Sequence, residues 1–269
     1  MTESKHSMWC RVFAACRVRR PVKTAAPAGR AAMPAVAAAG AAAPAVPPDV
    51  DGKLRQLCID TTLLTGDPLR EAIGVLDLDA GKLVGTRVGE ASTVRVPEPV
   101  RALLDGSAPS FRLVHTHPDA GENVSLSEAD VNCLWSFPAV TEIEAVLLDG
   151  SYFCASRPAN VDWDHASRFA RADLIKMGVA AAAVEDDHNL GDNAYYNEVR
   201  THIVLLALHQ FVLEDEAKQW SGMRARREYG FRYDYTLSAA RRARWDTAGN
   251  AELIREWVDL TVREFRLSL

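Results

Sequence analysis

Through the middle of the chain, apolar residues alternate with polar ones or form short unbroken runs, and only further on do they recur at helical intervals. Arg70-Glu71-Ala72-Ile73-Gly74-Val75-Leu76-Asp77-Leu78-Asp79, then Asp79-Ala80-Gly81, then Lys82-Leu83-Val84-Gly85 reads as a β-hairpin, because Asp and Gly between two apolar runs suit a tight reversal. Ser92 to Val96 reads as a further short strand, and Pro97 to Gly106 as a short helix with early prolines and a terminal glycine. Phe111-Arg112-Leu113-Val114 leads a strand into His115-Thr116-His117-Pro118. Ser127 to Ser136 then reads as a capped helix, Ala145 to Leu148 as a buried strand, and Asp149-Gly150 as a turn into Tyr152-Phe153-Cys154-Ala155. The pattern predicts an α/β fold of the α+β kind, a mixed β-sheet flanked by helices.

Helical periodicity takes over after this block. Trp163 to Met177 has Ala166, Phe169, Ala170 and Leu174 at helical spacing, with Gly178 as the expected C-cap and a small-residue run from Val179 to Val184 beyond it. Asn193 to about Trp220 carries the stripe Val199, Ile203, Leu206, Phe211 and Leu213, and Ala251 to Phe265 forms another helix. The chain before Pro48 is of a different kind. It is rich in Ala, Pro and Arg with Glu3 its only acid, and Met33 to Pro48 is a low-complexity Ala/Pro run that cannot build a core. The organisation expected is a disordered tail over 1–50, an α/β domain over 51–158 and a helical extension over 159–269. Arg19-Arg20 invites a targeting reading, but Pro21, Pro27 and Pro34 and the lack of a leucine-rich segment argue against an export signal, and Met33 is an alternative start.

Composition narrows the classes. With 269 residues, 48% hydrophobic and 25% charged, the chain can bury one or two ordinary cores. A net charge of −5 gives no general attraction to nucleic acid. Five cysteines without a Cys-x-x-Cys pair make neither a disulfide framework nor a thiolate zinc site, so a reducing cytoplasm is the simplest compartment. No stretch has the length and apolarity of a membrane span. Arg224-Ala225-Arg226-Arg227 and Arg241-Arg242-Ala243-Arg244, near Tyr229, Phe231, Tyr233 and Tyr235, suit a partner surface or single-stranded nucleic acid. The acidic balance favours a solvated helix face with the rings packed inward. His188, His202 and His209 read as ordinary helix-face or packed histidines.

The chemistry concentrates at the end of the Phe111 strand. Residues i and i+2 of a strand share a face, so the imidazoles of His115 and His117 can converge while Thr116 points away. Asp130, on the first turn of the helix that Ser127 opens, would supply a carboxylate, and two imidazoles with one carboxylate leave a fourth tetrahedral position open for water. Ser-x-x-Asp is equally a capping arrangement that needs no metal. A general base would have to come from elsewhere, and Glu71, at the mouth of the hairpin strand, can reach into a cleft from there.

Glu71, then His115-Thr116-His117-Pro118, then Ser127-Glu128-Ala129-Asp130 resembles the signature of the JAMM (MPN-plus) metalloprotease family. The segment Arg70-Glu71 through Leu76-Asp77-Leu78-Asp79 is most similar to its RadC-type bacterial branch. The resemblance covers roughly residues 57–156. The loop after Pro118 is about two residues longer than the family's usual spacing, so two registers compete: Ser125 with Glu128, or Ser127 with Asp130. The second keeps Ser-x-x-Asp intact, and a surface loop absorbs an insertion at small cost. The resemblance implies Zn2+ on His115, His117 and Asp130, Glu71 as general base and Ser127 as oxyanion donor. An ion in such a site brings the pKa of its water to about 7. It further implies a protein substrate cut at an amide or isopeptide bond, after the tail of a ubiquitin-like or sulfur-carrier protein, with the helical extension as recognition or homodimer surface. A non-catalytic MPN-type binding module and a RadC-like protein of DNA metabolism are the alternatives. A barrel amidohydrolase is disfavoured, because the strand-helix units it needs after the histidines are missing.

Overall fold

The computed structural model describes residues 48–91, 94–106, 108–117, 124–220 and 229–269. The hairpin forms as its turn chemistry dictates, with β1 (Arg70–Asp77) antiparallel to β2 (Lys82–Ala91). Asp77 Oδ1 closes the turn by accepting the N–H groups of Asp79 and Ala80 at 3.0 and 2.9 Å, and Gly81 takes the left-handed φ of 61° that follows. β2 is longer than expected, and its pairing with β1 is exhausted at Arg70 opposite Ala91. Val94–Val96 pairs with no strand and is irregular, which corrects the strand expected there; Ser92 and Thr93 lie outside the described residues.

A helix that periodicity did not suggest, α1 (Pro48–Leu64), precedes the hairpin. It moves the expected end of the tail: residues 48–50 are helical, and Pro48 sits where a missing N–H costs nothing. The rest of the tail, with Arg19-Arg20 and Met33, lies outside the described residues. After β2 come α2 (Glu98–Leu104), β3 (Phe111–His117), α3 (Glu128–Ser136), β4 (Val140–Leu147) and β5 (Tyr152–Ser156). These match the short helix, the histidine strand, the capped helix and the two strands expected, with β4 starting earlier.

One mixed sheet results, in the order β2-β1-β3-β4-β5-β6, where β6 is Arg232–Thr236. The β3–β4 pair is parallel and the other four pairs are antiparallel. α3 is the crossover between β3 and β4, so its N-terminus returns to the carboxyl end of β3. The two faces are covered differently. On one, Leu54, Cys58 and Ile59 of α1 pack on Leu76, Val114 and Val146. Gly74 allows this close approach, since a Cβ there would lie 2.7 Å from Leu54 Cδ1. On the other, Ile73, Val75, Leu113, Ala145, Leu147 and Phe153 join Val131, Leu134 and Trp135 of α3 and the longer helices in the main core.

The C-terminal part departs from expectation in four places. α4 (Trp163–Asp187) runs straight through Gly178, which therefore is not a C-cap. Ala170, Leu174, Met177, Ala181 and Val184 form one buried stripe across it, and their burial outweighs the roughly 1 kcal/mol that a mid-helix glycine costs. α5 (Ala194–Trp220) buries Val199, Ile203 and Phe211 as expected, but Leu213 is 41% exposed. The stripe drifts around the helix and is completed by Tyr196, Ala207 and Val212. The extension is also not wholly helical. Tyr229, Phe231 and Tyr233 are buried, and Arg232–Thr236 pairs with β5 as the sixth strand.

Two further helices, α6 (Ala239–Trp245) and α7 (Ala248–Leu267), close the chain. Arg241 on α6 is buried rather than solvated, with ion pairs to Asp149 at 2.9 Å and Glu198 at 3.3 Å. Arg224–Arg227 lies outside the described residues. The described residues belong to a single compact unit. Among the described residues no helix is long and apolar enough to cross a membrane.

Candidate metal centre

The site grows from the register of three strands. Ile73 stands opposite His115 in the β1–β3 pair, and alternation then puts Glu71 on the same face as His115 and His117. β4 runs parallel beside them, with Ala145 and Leu147 beside His115 and His117. These small and apolar neighbours leave the imidazoles facing α3, whose first turn carries Asp130.

Ser127 sets the direction of Asp130. It is the N-cap of α3 in a complete capping box: its hydroxyl accepts the Asp130 N–H at 3.2 Å, and its own N–H donates to Asp130 Oδ2 at 2.7 Å. The Ser127 hydroxyl proton also goes to Oδ2, at 2.7 Å. Both donors therefore hold one carboxylate oxygen, and Oδ1 turns toward His115 Nε2 at 3.3 Å, while Oδ2 lies 3.4 Å from His117 Nε2. Among the described residues, His115, His117 and Asp130 form the one group of His, Cys, Asp or Glu whose donor atoms could hold a metal ion, all lying within 4.8 Å of one another.

These distances have a physical reading. Two ligand atoms each about 2.05 Å from a tetrahedral ion lie about 3.35 Å apart, whereas a charge-assisted N–H···O bond closes to about 2.8 Å. His115 sharpens the point. It donates a ring N–H to the Glu144 backbone carbonyl, and its Nε2, buried, is attracted to Asp130 without reaching the geometry of a normal hydrogen bond. The donating nitrogen is thus Nδ1, which in the neutral ring leaves an Nε2 lone pair opposed to a carboxylate oxygen. In that protonation state two acceptors would face each other across 3.3 Å in a water-poor site. Only a cation or a proton between them removes the repulsion. A backbone carbonyl orienting the remote nitrogen of an imidazole is also the usual outer support of a metal-binding histidine.

Electrostatics agree. Burial alone would lift the Asp130 carboxyl and depress the His115 imidazole. Their mutual attraction overcomes both, holding Asp130 well below the usual carboxylate range and raising His115. For Glu71, 7% exposed, burial wins: its pKa is raised despite the pull of His115 and His117 and a hydrogen bond from the Val94 N–H. A carboxylate that holds a proton above its ordinary range, on the same face as the metal group, has the properties of a general base.

The competing register looks different. Ser125 is fully buried and its hydroxyl is bonded to Thr201 of α5 at 3.0 Å. Glu128 is half-buried with its carboxyl raised by burial, bonds to Asn132, and does not belong to the metal group. None of the three lone histidines belongs to the metal group, and His188 is exposed. His202 is buried against Tyr233, His209 Nδ1 accepts the Tyr233 N–H at 3.1 Å, and His188 is the C-cap of α4. Two supporting groups were not legible in the sequence. One is the Glu144 carbonyl, for which no side-chain signal exists. The other is Thr116, whose hydroxyl accepts the Ala72 N–H at 2.8 Å and bonds Thr62 at 2.7 Å on the reverse face of the sheet.

No family model matches the chain, and no curated protein or solved structure matches it.

Proposed function

We propose that the chain is a zinc-dependent hydrolase of the JAMM type, acting on an amide or isopeptide bond of a protein substrate. The observation that carries this reading is the 3.3 Å between His115 Nε2 and Asp130 Oδ1, the spacing of two ligands on one ion, with the far side of the imidazole on the Glu144 carbonyl and a desolvated Glu71 on the same face. His115 and His117 through Nε2 and Asp130 through Oδ1 would hold the ion, which would supply a Lewis acid and an acidified water.

The chain's own groups divide the remaining work. Glu71 accepts a proton from the attacking water and returns it to the leaving amine, a task that suits a carboxyl whose pKa burial has raised. Ser127 orients Asp130 while its single proton rests on Oδ2. Turning that proton toward a tetrahedral oxyanion is the second role that the family resemblance assigns to it. A ubiquitin-like or sulfur-carrier protein with an extended tail is the substrate class that the family resemblance implies.

The first test is metal content of the purified full chain, wild type against His117→Ala. About one zinc per chain is expected for wild type and almost none for the variant. A folded wild-type protein that neither carries nor takes up a divalent transition metal would leave a non-catalytic binding module instead. Glu71→Gln is then expected to keep its zinc and lose hydrolysis, and equal cleavage by that variant would remove Glu71 from the base role.

A further inference from the structure

α1 contributes no residue to the metal group, yet one face of it contacts the ligand strand rung by rung. Asp51, Arg55, Cys58 and Thr62 recur at helical spacing and share a face of α1. Asp51 pairs with Arg112 at 2.6 Å, Cys58 Sγ lies 3.7 Å from the Val114 carbonyl oxygen, and Thr62 is bonded to Thr116 at 2.7 Å. Arg112, Val114 and Thr116 are the reverse-face residues of β3, interleaved with Leu113, His115 and His117. Arg55 adds an indirect hold, binding both oxygens of Glu144 at 2.6 and 2.8 Å. The backbone carbonyl of that same Glu144 orients His115.

Thr116 is where these holds meet the site. One hydroxyl oxygen, between the two imidazoles in sequence, joins Thr62 of α1 to the N–H of Ala72, the residue after Glu71. Both threonines are 1% exposed, so water is not there to replace either bond. The side-chain bond that ties the ligand strand to the base strand at this point is thus shared with a helix on the far side of the sheet.

We propose that α1 is a positioning element of the metal centre, with Thr62 acting through Thr116 to fix His115 and His117 relative to Glu71; this rests on the metal reading of the site. Thr62→Val deletes the hydroxyl at nearly constant volume, and Thr62→Ser keeps it. The full chain is titrated with Co2+ and with Zn2+ against a chelator, the visible absorption of the Co2+ form is recorded, and the thermal midpoint of the metal-free protein is measured. Supporting groups behind metal-binding histidines typically contribute about 10- to 100-fold in affinity. Thr62→Val is therefore expected to weaken both metals about tenfold and to alter the Co2+ spectrum, and Thr62→Ser to restore both. Wild-type affinity and spectrum in Thr62→Val, with only a lowered midpoint, would reduce α1 to a structural cover and overturn the proposal. Should Thr62→Val not fold, Thr62→Ala is judged by the same criteria. A wild-type chain that binds neither metal overturns the metal reading and this proposal together, whereas a wild-type chain that binds while the variants bind equally well overturns this proposal alone.

Discussion

His202 Nδ1 on α5 lies 2.8 Å from the Tyr233 hydroxyl on β6, inside a cage of Phe153, Tyr235 and Trp245 rings. The imidazole is 1% exposed and its Nε2 has no partner, so burial holds its pKa down to about 3. The folded state therefore keeps His202 neutral where the unfolded chain, with an ordinary pKa of about 6.5, takes up a proton. Stability contributed by this residue is complete above pH 6.5 and falls as pH drops toward 3, at about 1.4 kcal/mol per pH unit. Chemical denaturation of wild type and His202→Asn checks the sign: the advantage of wild type over the variant should be about 2 kcal/mol smaller at pH 5 than at pH 7. A constant difference would mean that His202 is already protonated in the fold.

Asp130 and Glu128 can be separated by substitution. Asp130→Ala should abolish zinc binding and Glu128→Ala should leave about one ion per chain, because Asp130 alone of the two shares the metal group with the histidines. Elemental analysis of both variants decides between the registers.

Ser127→Ala should act on two levels. Loss of the N-cap costs about 1 kcal/mol of stability. Loss of the hydroxyl's bond to Oδ2 leaves only the Ser127 N–H of the capping pair on the Asp130 carboxylate, so zinc affinity should fall about tenfold. Denaturant midpoints and chelator competition measure the two effects separately.

Arg55 and Glu144 should be strongly non-additive. The Glu144 side chain is 1% exposed, and removing Arg55 leaves its charge buried without compensation, an effect of about 3–5 kcal/mol in comparable pairs. Arg55→Met alone should therefore destabilise far more than the double variant with Glu144→Gln. Equal losses in the two would show that water reaches Glu144 once Arg55 is gone.

Gly178→Ala should stabilise the chain. The position is mid-helix in α4 with open space where a Cβ would sit, and alanine there is worth about 1 kcal/mol. A rise in the denaturant midpoint without a change in m-value checks it.

How much of this was legible beforehand follows from the range of the forces involved. Turn residues and strand alternation act locally, so the Glu71 hairpin, the histidine strand and the Ser127 cap could be read from neighbouring residues alone. Where the stopping rule was tertiary, the reading failed. Gly178 did not end α4, because Ala181 and Val184 find the same core as Ala170 and Leu174. Val94–Val96 did not make a strand, because no strand pairs with it. α1 went unseen because Asp51, Arg55 and Thr62 interrupt its docking residues Leu54, Cys58 and Ile59, so its contact surface carries only a broken apolar stripe.

By itself the sequence determined the donor set: alternation makes His115 and His117 share a face, and Ser127 with Asp130 opens a helix whatever surrounds it. Only the tertiary structure decided that the β1–β3 register brings Glu71 to that face, that the crossover returns Asp130 to within 3.4 Å of the imidazoles, and that Thr62 holds the strand from behind. The physical reason is that local geometry sets the direction of a side chain, whereas its distance from a group many residues away is set by strand register and by how closely buried surfaces pack.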